Sequence, residues 1–192
     1  MTSIIKVDQI QTVAGATPTI AMVGINDTGT VLQVVNYALP VGSVQYTNND
    51  LNWTSVTSSD TTATSKAVNS KWVVTFTGIA ACRDARPLSF DIWYSVDGGS
   101  TWNDMSGNRD SSNHSGSGSG LGLTGYWQSG GTDDWFPLSM TVGGVISVVA
   151  GTSIKFRVAM RNGGPSSDIA NTNNCIGHGD YTMQMTVMEI AG

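Results

Sequence analysis

The chain has 192 residues, which suits one domain or one domain with an arm. Charged residues make up only 12% of it, and the net charge is −5. A phosphate-binding surface needs clustered Lys and Arg, whereas this chain has only nine, scattered along the sequence. No apolar run reaches the ~18 residues of a membrane span. The sequence therefore predicts neither nucleic-acid binding nor membrane insertion.

Residues 1–29 differ from the rest and predict an N-terminal attachment arm. Apolar side chains are interleaved with polar ones at Ile4, Ile5, Val7 and Ile10. The stretch is too short to bury these side chains itself, so we expect a partner surface to cover them. A frayed tail, or a first strand of the following domain, is the alternative. The opening lacks the basic and apolar regions of a secretory signal.

From residue 30 onward the sequence predicts strands joined by turns. The period-2 alternation that marks a strand with one buried face is clearest in three segments. These segments are 88–96, 153–161 and 181–190. Further strands are predicted at 30–35, 44–47, 53–56 and 71–81, and residues 58–65 predict a polar loop. About eight to ten strands without intervening helical patterns indicate an antiparallel sandwich or barrel.

A long loop is predicted at about residues 107–137. It holds a Gly/Ser run and then three aromatic residues, Tyr126, Trp127 and Trp135. Loops of this length are commonly functional or mobile. The three aromatic side chains are therefore a candidate contact site for a sugar or protein ligand. The alternative is that they pin the loop to the sandwich.

Residues 95–102 fit the pattern Ser-x-Asp-x-Gly-x-Thr-Trp, which resembles the Asp-box of sialidases. The resemblance implies a structural hairpin turn rather than a catalytic site. Asp97 is placed to accept backbone N–H groups, and Gly98 and Gly99 can supply positive φ angles. We expect Trp102 to fold onto the hairpin.

The sequence predicts no enzyme, no metal site and no cofactor. It contains no nucleophile elbow, phosphate loop, dinucleotide fingerprint or zinc-ligand spacing. The adjacent Asp133 and Asp134 predict a turn or a cap, because neighbouring side chains of an extended chain point to opposite sides. Cys82 and Cys175 form no Cys-x-x-Cys pair and predict reduced thiols, with a disulfide left open.

Two strands carry residues that suggest a subunit interface. Trp93 alternates onto the face opposite Phe90 and Ile92, and a large aromatic on an outer face suggests a covered surface. The last strand has little charge and carries Met183 and Met185. We therefore predict that Trp93, Met183 and Met185 lie at a contact between copies of the chain.

Several short motifs resemble a known group of proteins. Residues 3–11, 14–15 and 29–35 resemble the N-terminal region of small virion structural and fibre proteins of tailed bacteriophages. The segment 70–74 resembles the first long strand of the domain that follows in those proteins. That domain is similar to the jelly roll of the tumour-necrosis-factor and complement globular-head type.

The resemblance implies an all-β antiparallel jelly roll at 30–192 behind an extended arm. It implies a homotrimeric knob that projects from a virion, with the arm docked on a capsid or tail protein. Such a knob would be either a capsid decoration, or cement, protein or a short fibre that contacts a host-surface glycan or protein. The alternative is a carbohydrate-binding module outside any virion, which should function as a monomer.

Overall fold

The computed structural model describes residues 28–39, 46–48, 53–82, 88–105, 124–126, 134–162, 174–176 and 182–192. These residues form eleven β-strands and no helix. The strands are β1 (Val31–Leu39), β2 (Tyr46–Asn48), β3 (Thr54–Thr64), β4 (Lys71–Cys82), β5 (Leu88–Ser95), β6 (Asn103–Asp104), β7 (Thr124–Tyr126), β8 (Asp134–Val145), β9 (Ser153–Asn162), β10 (Asn174–Ile176) and β11 (Met183–Ile190).

The strands pair as two antiparallel sheets. In the first sheet β1 pairs with β11 and β2 pairs with β10, while β11 and β10 share one edge of β4. The strand β8 pairs along the other edge of β4. In the second sheet the order is β3-β9-β5, and both β6 and β7 pair with the remaining edge of β5.

This pairing scheme is that of a jelly roll. Four antiparallel pairs are nested in one another, namely β1 with β11, β3 with β9, β4 with β8, and β5 with β6 and β7. Folding that ribbon over brings β11 against β4 and β9 against β5, which completes the two sheets. The predicted antiparallel jelly-roll sandwich is confirmed.

The core lies between the two sheets and follows the predicted alternation. The side chains of Trp72, Phe76, Phe90 and Phe156 are fully buried, and the rings of Trp72 and Phe156 are 5.5 Å apart. Burying one such side chain contributes about 1.5–3 kcal/mol, so the interdigitated aromatic residues hold the sheets together.

The predicted polar loop at 58–65 is wrong, because β3 continues through it to Thr64. The register against β9 shifts between Val56 and Thr61, and Ser59 bridges the irregularity. Its Oγ donates to the Val56 carbonyl at 2.6 Å and accepts from the Val158 amide at 2.8 Å. A serine side chain thus supplies bonds that a regular ladder would make, and a polar run becomes a strand.

Part of the predicted long loop is strand. β7 lies within residues 107–137, and β8 begins at Asp134. The register pairs Leu88 with Tyr126 and Ala81 with Trp135, so both segments extend the sheets. The register also pairs Cys175 with Ala81, the residue before Cys82.

Candidate functional sites at the two ends of the sandwich

The chain enters and leaves the sandwich at the same end, which we call the arm end. Val31, Ile190, Lys71 and Val145 form one row across the first sheet there. The amide of Gly29 donates to the Ala191 carbonyl at 3.0 Å, and the Ala191 amide donates to the Thr30 carbonyl at 2.8 Å. Three turns close this end, at residues 65–70, 96–102 and 146–152.

The opposite end, which we call the far end, holds two of the three predicted contact residues. Tyr126 pairs with Leu88, where β5 begins, and Trp135 pairs with Ala81, near the end of β4. The twelve residues of β4 span roughly 35 Å between the two ends. Trp127 lies outside the described residues, as do the predicted attachment residues Ile4, Ile5, Val7 and Ile10.

A buried carboxylate organises the arm end. Glu189 on β11 is fully buried and is surrounded by donors of the 65–70 turn and of β1. These donors are the amides of Lys66 (2.8 Å) and Ala67 (3.2 Å), the hydroxyls of Ser65 (3.2 Å) and Ser70 (2.6 Å), and Nε2 of Gln33 (2.5 Å). We call this arrangement the Glu189 cluster.

The Glu189 cluster holds the 65–70 turn, which has no ladder of backbone hydrogen bonds within it to fix its shape. Hydrogen bonds to a charged group are worth about 1.5–3 kcal/mol each, and a buried carboxylate needs several of them. The same turn is bonded to the 146–152 turn, since the Gly151 amide donates to the Ser65 carbonyl at 2.7 Å. Sequence reasoning missed this cluster, although an acid at an inward position of an alternating strand was its signal.

The Asp-box residues form the predicted hairpin turn at the arm end. Oδ1 of Asp97 accepts from the amides of Ser100 (3.0 Å) and Thr101 (2.9 Å) and from the hydroxyl of Ser95 (2.7 Å). These hydrogen bonds, those from Thr101 foremost, hold the pKa of Asp97 far below its ordinary value. Gly98 and Gly99 have φ angles of 78° and 103°, which an L side chain rarely adopts.

A guanidinium links this hairpin to the body of the second sheet. Arg157 on β9 donates from Nε and Nη2 to the two carboxylate oxygens of Asp60, each at 2.8 Å. Its Cζ lies 3.6 Å from the centre of the Trp102 ring, and Trp102 Nε1 donates to the Gly99 carbonyl at 2.9 Å. The turn, its tryptophan and β3 are therefore joined through one side chain.

The predicted interface residue Trp93 is on the outer face of the second sheet, as its alternation indicated. It is only 6% exposed within the single chain, and its ring centre is 6.2 Å from that of Trp53. Trp93 therefore presents little surface to a second subunit. Nearby, burial lowers the pKa of Arg161, whose Nε and Nη1 have no hydrogen-bond partner in the described part of the chain.

The placement of Met183 and Met185 at a subunit interface is corrected by the structure. Both side chains point between the sheets and are 3% and 0% exposed. The period of the strand separated its two faces, but it did not show that the methionine face was the inner one. The outer face of β11 carries Gln184, Thr186 and Met188 instead.

The outer face of the first sheet is almost free of charge. Its described members, taken from the registers of four strands, are Val34, Asn36, Ala38, Gln184, Thr186, Met188, Ile190, Lys71, Val73, Thr75, Thr77, Ile79, Pro137, Ser139, Thr141, Gly143 and Val145. Lys71 carries the one charge among these side chains. Threonine hydroxyls bond along it, as between Thr75 and Thr141 at 3.2 Å.

Neither a metal site nor a membrane helix is found in the ranges that the structure describes. No three His, Cys, Asp or Glu side chains come together there to hold an ion. None of the described segments is a helix long and apolar enough to cross a membrane.

Comparison with known proteins gives a distant likeness. No protein-family model matches the chain, and no curated protein is significantly similar to it. One similar solved structure is that of the infectious bursal disease virus Gx strain, with 14% sequence identity and a TM-score of 0.33. The match covers 84% of this chain and 33% of that one, so this chain spans about a third of its length. The fold is therefore assigned from the order of the strands and not from this likeness.

Proposed function

We propose that the chain is a non-enzymatic virion accessory protein, a knob held on the particle by residues 1–29. The observation that carries this proposal is the separation of the two ends. The described chain begins at Thr28 beside Ala191, whereas β7 and the first residues of β8 lie about one strand length away. An arm that binds a capsid or tail protein would leave the far end pointing outward.

The arm end has the rigidity that a base requires. Its 65–70 turn is held by the Glu189 cluster, and its 96–102 turn is held by Asp97. Each carboxylate accepts backbone amides, which fixes the path of the main chain rather than one side chain. A force applied through the arm would therefore act on an end of the sandwich whose turns are held by these hydrogen bonds.

We further propose that three copies associate through the outer face of the first sheet. Sheet faces exposed to water normally carry mixed charges, whereas the centres of subunit interfaces are depleted of them. This face combines Val34, Val73 and Met188 with small polar side chains and the single charge of Lys71. It replaces Met183 and Met185 as the candidate contact between copies.

The test uses particles of the virus that encodes the chain, prepared without it. Purified full-length chain and a chain lacking residues 1–29 are added, and the bound fraction is measured by sedimentation. We expect the full chain to bind and the shortened chain to stay in solution while still unfolding cooperatively, with a slightly lower midpoint because the Gly29–Ala191 hydrogen bond is lost. Equal binding of both chains would contradict the role of the arm. Binding of neither to the particle, with sugar binding by both, would favour the carbohydrate-binding module.

A further inference from the structure

We propose that the arm end is itself a docking surface for an acidic particle subunit, so that the arm is one of two contacts. This inference rests on the proposed function and names the chemistry of the partner. We call the surface the base surface; it consists of Val68, Val145 and Val149 with Lys66, Lys71 and Lys155. Val145 and Lys71 are the last pair of their ladder and lie where the base surface borders the outer face of the first sheet.

The base surface exposes apolar side chains that the fold has no need to expose. Val68, Val145 and Val149 are 58%, 57% and 69% exposed. They are neighbours in space, because the Asn69 amide donates to the Val148 carbonyl and Lys71 pairs with Val145. Val31 and Val96, both at this end, are also among the exposed large hydrophobic residues. Grouped exposed apolar residues are characteristic of contact surfaces.

The valines are presented on a fixed backbone. Val68 is in the turn that the Glu189 cluster holds, and Val149 is in the turn that donates to Ser65. Side chains already ordered in the free protein lose little entropy on binding. The base surface is therefore preorganised for a rigid partner.

The distribution of lysine in this chain indicates the charge that a partner of the base surface should carry. The whole sequence contains four lysines, of which Lys66, Lys71 and Lys155 belong to the base surface and Lys6 belongs to the arm. The chain as a whole has a net charge of −5, so this end is more positively charged than the rest of the molecule. Among the described residues of this end the acids are Glu189, which is buried, and Asp97, which is exposed, so the three lysines outnumber the two carboxylates. A complementary partner is acidic around an apolar patch.

The exit of the arm identifies that partner as the subunit that binds the arm. Residues 1–27 precede Thr28, which lies at the same end as the base surface. Once the arm is bound, its short tether holds the base surface at a high effective concentration over the same subunit. Even a weak contact made there adds to the affinity of the arm.

The experiment compares two matched double variants of the full chain. Val68→Thr with Val149→Thr keeps shape and β-branching but removes apolar character, and Val68→Ile with Val149→Ile keeps both properties. Binding to the particles prepared without the chain is titrated for each. We expect the affinity of the threonine pair for the particle to be lower than that of the unchanged chain by about tenfold or more. The affinity of the isoleucine pair should be unchanged or higher. Equal unfolding midpoints confirm that both variants are folded.

Charge is tested separately with Lys66→Gln and Lys155→Gln combined. We expect binding of the unchanged chain to weaken as salt is raised, and binding of the lysine variant to depend less on salt. If the threonine pair and the lysine variant both bind like the unchanged chain, the base surface is not a contact. If the chain lacking residues 1–29 fails to bind in that same experiment, the proposed function still stands. If it binds fully, both proposals fall.

Discussion

Gln33 on the first strand and Glu189 on the last strand are partners across one ladder, and Nε2 of Gln33 lies 2.5 Å from Oε2 of Glu189. The same Nε2 lies 2.6 Å from the carbonyl oxygen of Thr64, in the other sheet. One amide therefore ties the strand that continues the arm to both layers. Tension on the arm would be carried into the core and would not simply peel β1 from the sheet edge.

The Glu189 cluster yields a stability prediction. Glu189→Gln keeps the size of the side chain but turns one acceptor into an N–H₂ group that faces other donors. We expect the free energy of unfolding to fall by about 2–3 kcal/mol, measured by urea denaturation. Asn103→Ala, at an exposed position of the second sheet, should change it by less than about 0.5 kcal/mol. Equal stability of Glu189→Gln and the unchanged chain would show that the cluster contributes nothing.

The hairpin turn yields a pH prediction. Because hydrogen bonds lower the pKa of folded Asp97, its contribution to stability is present above the unfolded pKa of about 3.9 and is lost as pH falls below that. We expect Asp97→Asn to lower Tm at pH 7, and the difference from the unchanged chain to shrink towards pH 2. Thermal unfolding followed by circular dichroism at several pH values measures this. Parallel Tm curves would rule out the contribution.

The link between the hairpin and β3 yields a coupling prediction. The Arg157–Asp60 pair is bidentate, with side-chain exposures of only 10% and 27%. In a double-mutant cycle with Asp60→Asn and Arg157→Gln, we expect a coupling free energy of about 1–2 kcal/mol. Arg157→Lys should lose most of it, because lysine can neither form the fork nor stack flat on Trp102. Additive effects of the two single changes would contradict this link.

The outer face of the first sheet, where Lys71 is the one charged residue among the described positions, yields a prediction about assembly. Three copies of a 20.1 kDa chain should give a light-scattering mass of about 60 kDa at micromolar concentration. Thr75→Lys, at the middle of the face, should convert this species to monomers, while Asn103→Lys in the second sheet should not. A 20 kDa mass for the unchanged chain would contradict trimer formation.

The strands with one clean apolar face could be predicted from the sequence because the core selects that face. Phe90 and Ile92 on β5, and Phe156 and Val158 on β9, show this alternation and are fully buried. The second half of β3, from residue 58 to residue 64, could not be predicted, because the inward Ser59 and Thr61 make it polar and it depends on bonds to a strand about a hundred residues away.

The candidate site was only partly predictable, for a related reason. Periodicity assigns side chains to faces but does not say which face lies inward, and so Met183 and Met185 were placed on the wrong side. The gathering of Val68, Val149 and Lys155 at one end depends on the pairing of distant turns, which no local pattern contains. The Asp-box turn, in contrast, is local, and its motif is enough to predict Asp97 as the acceptor of backbone amides, although not which amides donate.

The most direct test of the central claim is an image of the assembled particle carrying a chain with a tag fused after Gly192 and bound by an antibody fragment. Gly192 lies at the arm end, next to Asn69. We expect sandwich density on the particle surface, in groups of three, with the fragment at the base of each knob, close to the particle. Fragment density at the outer tip, or particles that lack the chain, would contradict it.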